Sequence, residues 1–165
     1  MALIVEAGSG LSNGESYASV ATADAYHAAR GNDAWDAVDN KEAALRNATD
    51  YMVQAYRMRW AGYRKFATQA LDWPRYEAPM TDSMYGNYYD SGSIPAAVVN
   101  ACCALALKAA AGDLSPDLAP RVTSESVGPI SVTYAADGRQ TTVYRAIDSM
   151  LQDFFKSSCI MLVRS

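Results

Sequence analysis

Between Tyr56 and Tyr76 the chain interleaves cations with rings: Arg57, Arg59, Arg64, Lys65 and Arg75 alternate with Tyr56, Trp60, Tyr63, Phe66, Trp73 and Tyr76. Rings give platforms on which bases stack, and cations track phosphates, which is how proteins hold single-stranded nucleic acid without reading its sequence. The same residue types are enriched at protein–protein interfaces, and the rings suit a core equally well. Composition favours that interface or core reading. Arg57, Arg59, Trp60, Tyr63, Arg64, Lys65, Trp73 and Arg75 are thus candidates for an interface or a DNA contact. Further on, Tyr85, Tyr88 and Tyr89 are candidate loop contacts; Glu77, Asp82 and Asp90 nearby would repel phosphate, so a protein contact suits them better.

Other chemistries find little to use. The single histidine, His27, falls in the middle of the first helical segment and reads as a packing or surface residue. No Cys, His and carboxylate set stands out at metal-ligand spacing, no G-x-S-x-G elbow or P-loop occurs, and the carboxylates are scattered. The Gly8–Gly14 loop lacks the Lys-Ser/Thr ending of a nucleotide site and reads as a flexible arm. The expectation is therefore a non-enzyme with no catalytic residue, cofactor or metal. Cys102, Cys103 and Cys159, odd in number and partly adjacent, fit reduced buried thiols better than a disulfide frame.

The elements that must position these residues read as mainly α: a small bundle of about four helices in one domain spanning 1–165. Ala2–Val5 is strand-like and opens an N-terminal arm over 1–18. Ser19 or Thr22 caps a first helix that stops at Gly31. A second begins near Asp39, which forms a capping box with Glu42, and runs to about Arg57–Arg59 with Leu45, Ala48, Met52 and Ala55 on one face. Residues 77–93 form a long Tyr-rich loop. A third helix, capped by Ser93 and stopped by Gly112, is apolar almost all round and is the central core helix. Within an extended or hairpin arm over 113–145, Ile130, Val132 and Tyr134 alternate with polar residues, and Asp137-Gly138 turns the chain into Thr141–Tyr144. These three are candidates for an intersubunit arm, with the hairpin near 122–145. A last helix from Ala146 to Lys156 buries Ile147, Met150, Leu151, Phe154 and Phe155, and residues 158–165 form a strand-prone tail.

Half of the chain is hydrophobic, 19% is charged, and the net charge is -4. Local balances are -5 over 1–55, +4 over 56–76 and -3 over 77–165. A dedicated duplex-DNA binder carries a broader basic face. The run from Ile94 to Ala111 contains Pro95, Asn100 and Lys108 and is too short and polar for a membrane span, and no secretory pattern opens the chain.

An ordered set of short motifs resembles the head–tail connector (adaptor) family of tailed bacteriophages, part of which is labelled DnaT-like single-stranded-DNA-binding protein. The set comprises Leu3-Ile4-Val5-Glu6 with Gly8 and Gly10-Leu11, Ser16-Tyr17, Ala23-Asp24-Ala25-Tyr26, Lys41–Leu45 and Ala48–Tyr51. It continues through Gln69-Ala70-Leu71, Trp73-Pro74-Arg75, Ile94–Val98, Ser124-Glu125, Val127–Ile130 and Leu162-Val163-Arg164. The resemblance implies a virion structural protein, assembled in the host cytoplasm as a homo-oligomeric ring of about a dozen copies. Its partners would be the portal and a tail-side connector or completion protein. Genomic DNA would pass through the ring without sequence-specific binding, which suits an acidic subunit. The alternative is a replication accessory that binds single-stranded DNA through the Arg57–Tyr76 block.

Overall fold

The computed structural model describes residues 2–83, 86–116 and 142–156 and, as backbone only, 124–127 and 130–133. The described residues form four α-helices, α1 Val20–Ala28, α2 Lys41–Tyr56, α3 Ala96–Ala111 and α4 Arg145–Leu151, with two separate two-stranded antiparallel sheets. The domain is mainly α.

Ser19 caps α1 by accepting the Thr22 N–H at 3.1 Å. A 3-10 turn, Asp33–Trp35, then swings Trp35 under the helix. There its indole N–H donates to Asp24 at 2.8 Å, and Lys41 binds the same carboxylate oxygen at 2.8 Å. These contacts position the start of α2, whose cap is Asn40, accepting the Ala43 N–H at 3.0 Å. The expected Asp39–Glu42 capping box is absent: the helix begins one residue later, and Glu42 pairs instead with Arg46 at 3.4 Å. Leu45, Ala48 and Met52 are buried as their spacing requires, but Ala55 faces solvent and Tyr56 takes the last core position.

Central to the bundle is α3, which packs against α1, α2 and α4. Val98, Ala101, Cys102, Cys103, Leu105 and Ala106 are buried, whereas Ala96, Lys108, Ala110 and Ala111 are exposed, so the helix is enclosed over its middle turns and open at its end. Pro95 occupies the cap position with φ -57° and ψ 138°, and Ser93, two residues earlier, makes no capping bond, which corrects the expected cap. Small Ala and Cys side chains let α2 approach closely, and Thr49 Oγ1 reaches Cys102 Sγ at 3.4 Å. Described cysteines Cys102 and Cys103 are free and buried; burial pushes the Cys103 thiol up to about 12. Cys159 and the 158–165 tail lie outside the described residues.

Three strand expectations change. Ala2–Val5 forms no strand, only a single bridge between Val5 and Ser16. Segment 2–18 is built into the domain rather than standing off as an arm, with Glu6, Ser16, Tyr17 and Ala18 buried. The hairpin pairs β3 Ser124–Val127 with β4 Ile130–Thr133, from Ser124↔Thr133 to Val127↔Ile130. Ile130 and Val132 are therefore in a strand whose partner lies upstream, because only Gly128 and Pro129 separate the two and the shorter closure costs less entropy. Tyr134 and the Asp137-Gly138 turn lie outside the described residues, and Thr142–Tyr144 is not a strand but leads into α4. The last helix ends at Leu151 and tightens into a 3-10 turn, Gln152–Phe154, burying Ile147, Leu151 and Phe154 with Met150 and Phe155 half-buried. No helix among the described residues is long and apolar enough to cross a membrane.

Candidate nucleic-acid interface

Past the end of α2 the chain has no helical ladder, and polar side chains hold the backbone instead. β1, Tyr63–Arg64, pairs antiparallel with β2, Arg75–Tyr76, in the register Tyr63↔Tyr76 and Arg64↔Arg75. Gly62 makes the approach possible: it sits at φ 68°, and a Cβ there would lie 2.3 Å from the Tyr76 carbonyl oxygen. Arg75 is buried beneath this sheet, where its guanidinium donates to the carbonyls of Ala61 at 2.7 Å, Gly62 at 2.7 Å and Asp72 at 3.0 Å. Burial holds that guanidinium below its usual pKa, so the cation stands at a cost that its hydrogen bonds offset. Gln69 closes the 65–74 loop by accepting from Phe66 N–H at 2.9 Å and donating to Leu71 O at 2.8 Å. The buried Tyr17 hydroxyl accepts from the amides of Asp72 and Trp73 at 3.0 and 3.3 Å. Its ionisation is pushed up by burial first and by the Asp72 carboxylate second.

This frame splits the rings into two sets. Trp60 and Trp73 are 1% and 0% exposed and meet edge to face, with centroids 5.8 Å apart. Phe154, Phe155 and Tyr89 pack around them. They form an aromatic core with the 3-10 turn that follows α4, each such pair adding about 0.5–1.5 kcal/mol beyond area burial. Tyr63, Tyr76 and Phe66, at 68%, 45% and 45%, face outward. Residues 78–80 and 87–89 form a second ladder, with Met80 N–H on Asn87 O at 2.8 Å and Tyr89 N–H on Ala78 O at 2.9 Å. Strand alternation then turns Tyr89 inward onto Phe154 and leaves Tyr88 60% exposed.

Tyr63, Arg64, Arg75, Glu77, Tyr88 and Lys156 line one open depression of about 650 Å³, roughly what a nucleotide-sized ligand needs. Lys156 arrives there because Trp60 bridges Phe155 and the Lys156 N–H donates to Arg59 O at 2.7 Å. Among the described residues no acid lies within salt-bridge distance of Arg64, Lys65 or Lys156.

Of the expected contact residues, the structure brings Tyr63, Arg64, Arg75 and Tyr88 to one depression and places the other described ones outside it. Trp60 and Trp73 are core residues, a correction, since the reversal after α2 turns both inward. Arg57 and Arg59 are committed to Asp72 at 2.9 Å and Asp148 at 3.0 Å, and Lys65, which does not line the depression, reaches Gly8 O at 3.4 Å; Arg64 lines it while one guanidinium nitrogen donates to Gln69 O at 3.2 Å. Tyr89 is half-buried, and Tyr85 lies outside the described residues. Sequence reasoning missed Lys156 and took Glu77 only as a neighbour that repels phosphate; the alternation of Tyr88 with Tyr89 was a legible sign of one outward ring.

Elsewhere, the Gly8–Gly14 loop folds around its own acid. Glu6, 1% exposed, accepts from the N–H groups of Gly8 and Gly10 at 2.7 and 3.0 Å and from Leu11 N–H. The Gly8–Leu11 stretch is thus tied down by the Glu6 carboxylate, which corrects the expectation of a flexible arm. His27 is a core residue, stacked on Trp35 at 4.7 Å with its ring nitrogens against Cys103 O and Asn32. No group of three or more His, Cys, Asp or Glu among the described residues is placed to hold a metal ion.

The family model described as "Putative DnaT-like ssDNA binding protein" matches residues 1–165. No curated protein and no solved structure matches the chain. Covered by that model over its whole length, the chain belongs to the DnaT-like ssDNA binding protein family.

Proposed function

We propose that this protein binds single-stranded DNA across the depression between β1 and the 78–89 ladder. The observation that carries the reading is the convergence there of two exposed rings, Tyr63 and Tyr88, with Arg64 and Lys156, while the buried Arg75 guanidinium fixes the backbone beneath them. Bases stack on the rings and the cations follow the backbone, an arrangement that tolerates any sequence. The family description points the same way. The test is fluorescence anisotropy of a labelled thymine oligonucleotide across a salt series. Affinity should fall as salt rises, and Arg64→Ala or Lys156→Ala should each flatten the log–log slope by about 0.7. Absence of binding at low salt rules the reading out.

The connector reading, drawn from resemblance, has no support in the family match, which carries the DNA-binding description. One observation favours it: among the described residues β3 and β4 pair only with each other, and a two-stranded hairpin can extend its pairing to a neighbouring copy. Its test is the ratio of this chain to portal subunit in purified particles. Near-equal numbers support a ring; absence from particles removes it.

A further inference from the structure

The depression holds one acid, Glu77, among its cations. Its place is fixed from both sides: Tyr76 pairs with Tyr63, and the Ala78 carbonyl accepts the Tyr89 N–H at 2.9 Å. Between them Glu77 takes φ 53°, a left-handed conformation that favours glycine or asparagine, and a Cβ on Gly62 would stand 2.9 Å from its carbonyl carbon. The side chain is exposed and, among the described residues, makes no ion pair within 4.0 Å, although Arg64 and Lys156 line the same depression. A carboxylate in a phosphate-binding groove is repulsive unless it meets a donor. In a single strand the donors are the Watson–Crick edges of the bases, free because nothing pairs with them.

The bases differ sharply in what they offer a carboxylate. Guanine presents N1–H and N2–H side by side, a match for both carboxylate oxygens. Cytosine and adenine present one amino group each. Thymine presents a single N3–H flanked by two carbonyl oxygens, which repel the acid. We propose that Glu77 makes the groove selective for guanine over thymine, accepting the N1–H and N2–H pair of a base stacked on Tyr63 or Tyr88, an inference that rests on the single-strand reading above.

The experiment compares two labelled oligonucleotides of equal length, one all thymine and one with isolated guanines set among thymines, so that quadruplexes cannot form. Wild-type protein should bind the guanine-bearing strand about tenfold more tightly. Glu77→Gln, exposed and of the same shape, should bring the ratio to about twofold and tighten binding of the thymine strand, since an acid near phosphate is gone. Equal wild-type affinities, or an unchanged preference in Glu77→Gln, overturn the role of Glu77 while leaving the groove standing. Binding of neither strand fails the single-strand reading itself and takes this inference with it.

Discussion

The α2–α3 pair and the 60–90 segment hold their shapes by different physics. Between the helices a continuous seam of Leu45, Ala48, Met52, Val98, Cys102 and Leu105 excludes water, and its backbone hydrogen bonds come free with the helix. In the 60–90 segment the backbone reverses repeatedly, so Arg75, Gln69 and the Tyr17 hydroxyl supply bonds that no ladder provides. That polar scaffold fixes the backbone over the buried rings of Trp60 and Trp73 and holds Tyr63, Tyr76 and Tyr88 outward. That is why the candidate interface lies here rather than on the bundle.

The largest loss of stability is expected at the buried Trp60–Trp73 pair. Trp73→Ala should cost about 3–5 kcal/mol in urea unfolding, since the ring is fully buried against Trp60 and Phe154. Next comes the polar scaffold alone. Arg75→Met keeps much of the volume but strands three carbonyl groups, and should cost about 3 kcal/mol by the same measurement. A cost under about 1 kcal/mol would mean that the sheet, not the guanidinium, holds the segment.

A smaller effect tests the bundle side. Burial depresses the His27 pKa, so the folded protein keeps the ring neutral while the unfolded chain takes up a proton. Stability should be level above about pH 6.5 and decline as pH falls below it, and His27→Gln should remove that decline. Urea midpoints at about pH 7 and about pH 5.5 separate this from Glu15 and Asp24, whose pKa values are lowered. Glu15 is held down by the Ile4 amide and Arg46, and Asp24 by Lys41 and the Trp35 indole, and both act at more acid pH.

Legibility in the sequence followed the same division. Helical spacing located α2 and the buried stripe of α4, because one periodic face decides which residues turn inward, and α3 was legible from its continuous apolar run ended by Gly112. It missed the α2 start by one residue, since Asp39 and Asn40 are both good caps and only the chain path from Trp35 selects between them. In the 57–76 block the rings have no period, so composition identified the residues without sorting Trp60 and Trp73 from Tyr63 and Tyr76. Glu6 went unnoticed because its partners are amides, which carry no residue type; an acid two residues before a glycine-rich loop was the available sign. Lys156 is 92 residues from Arg64 in sequence and meets it only through the Trp60–Phe155 bridge.

The most direct test is a single-strand titration of Tyr63→Ala with Tyr88→Ala against wild type at low salt, with thermal unfolding run on the same samples. Both rings are exposed, so stability should hold within about 0.5 kcal/mol. Stacking is worth about 1–3 kcal/mol per base, so affinity should drop at least about tenfold. An unchanged affinity in the folded double variant would contradict the assignment of this depression as the DNA-binding surface.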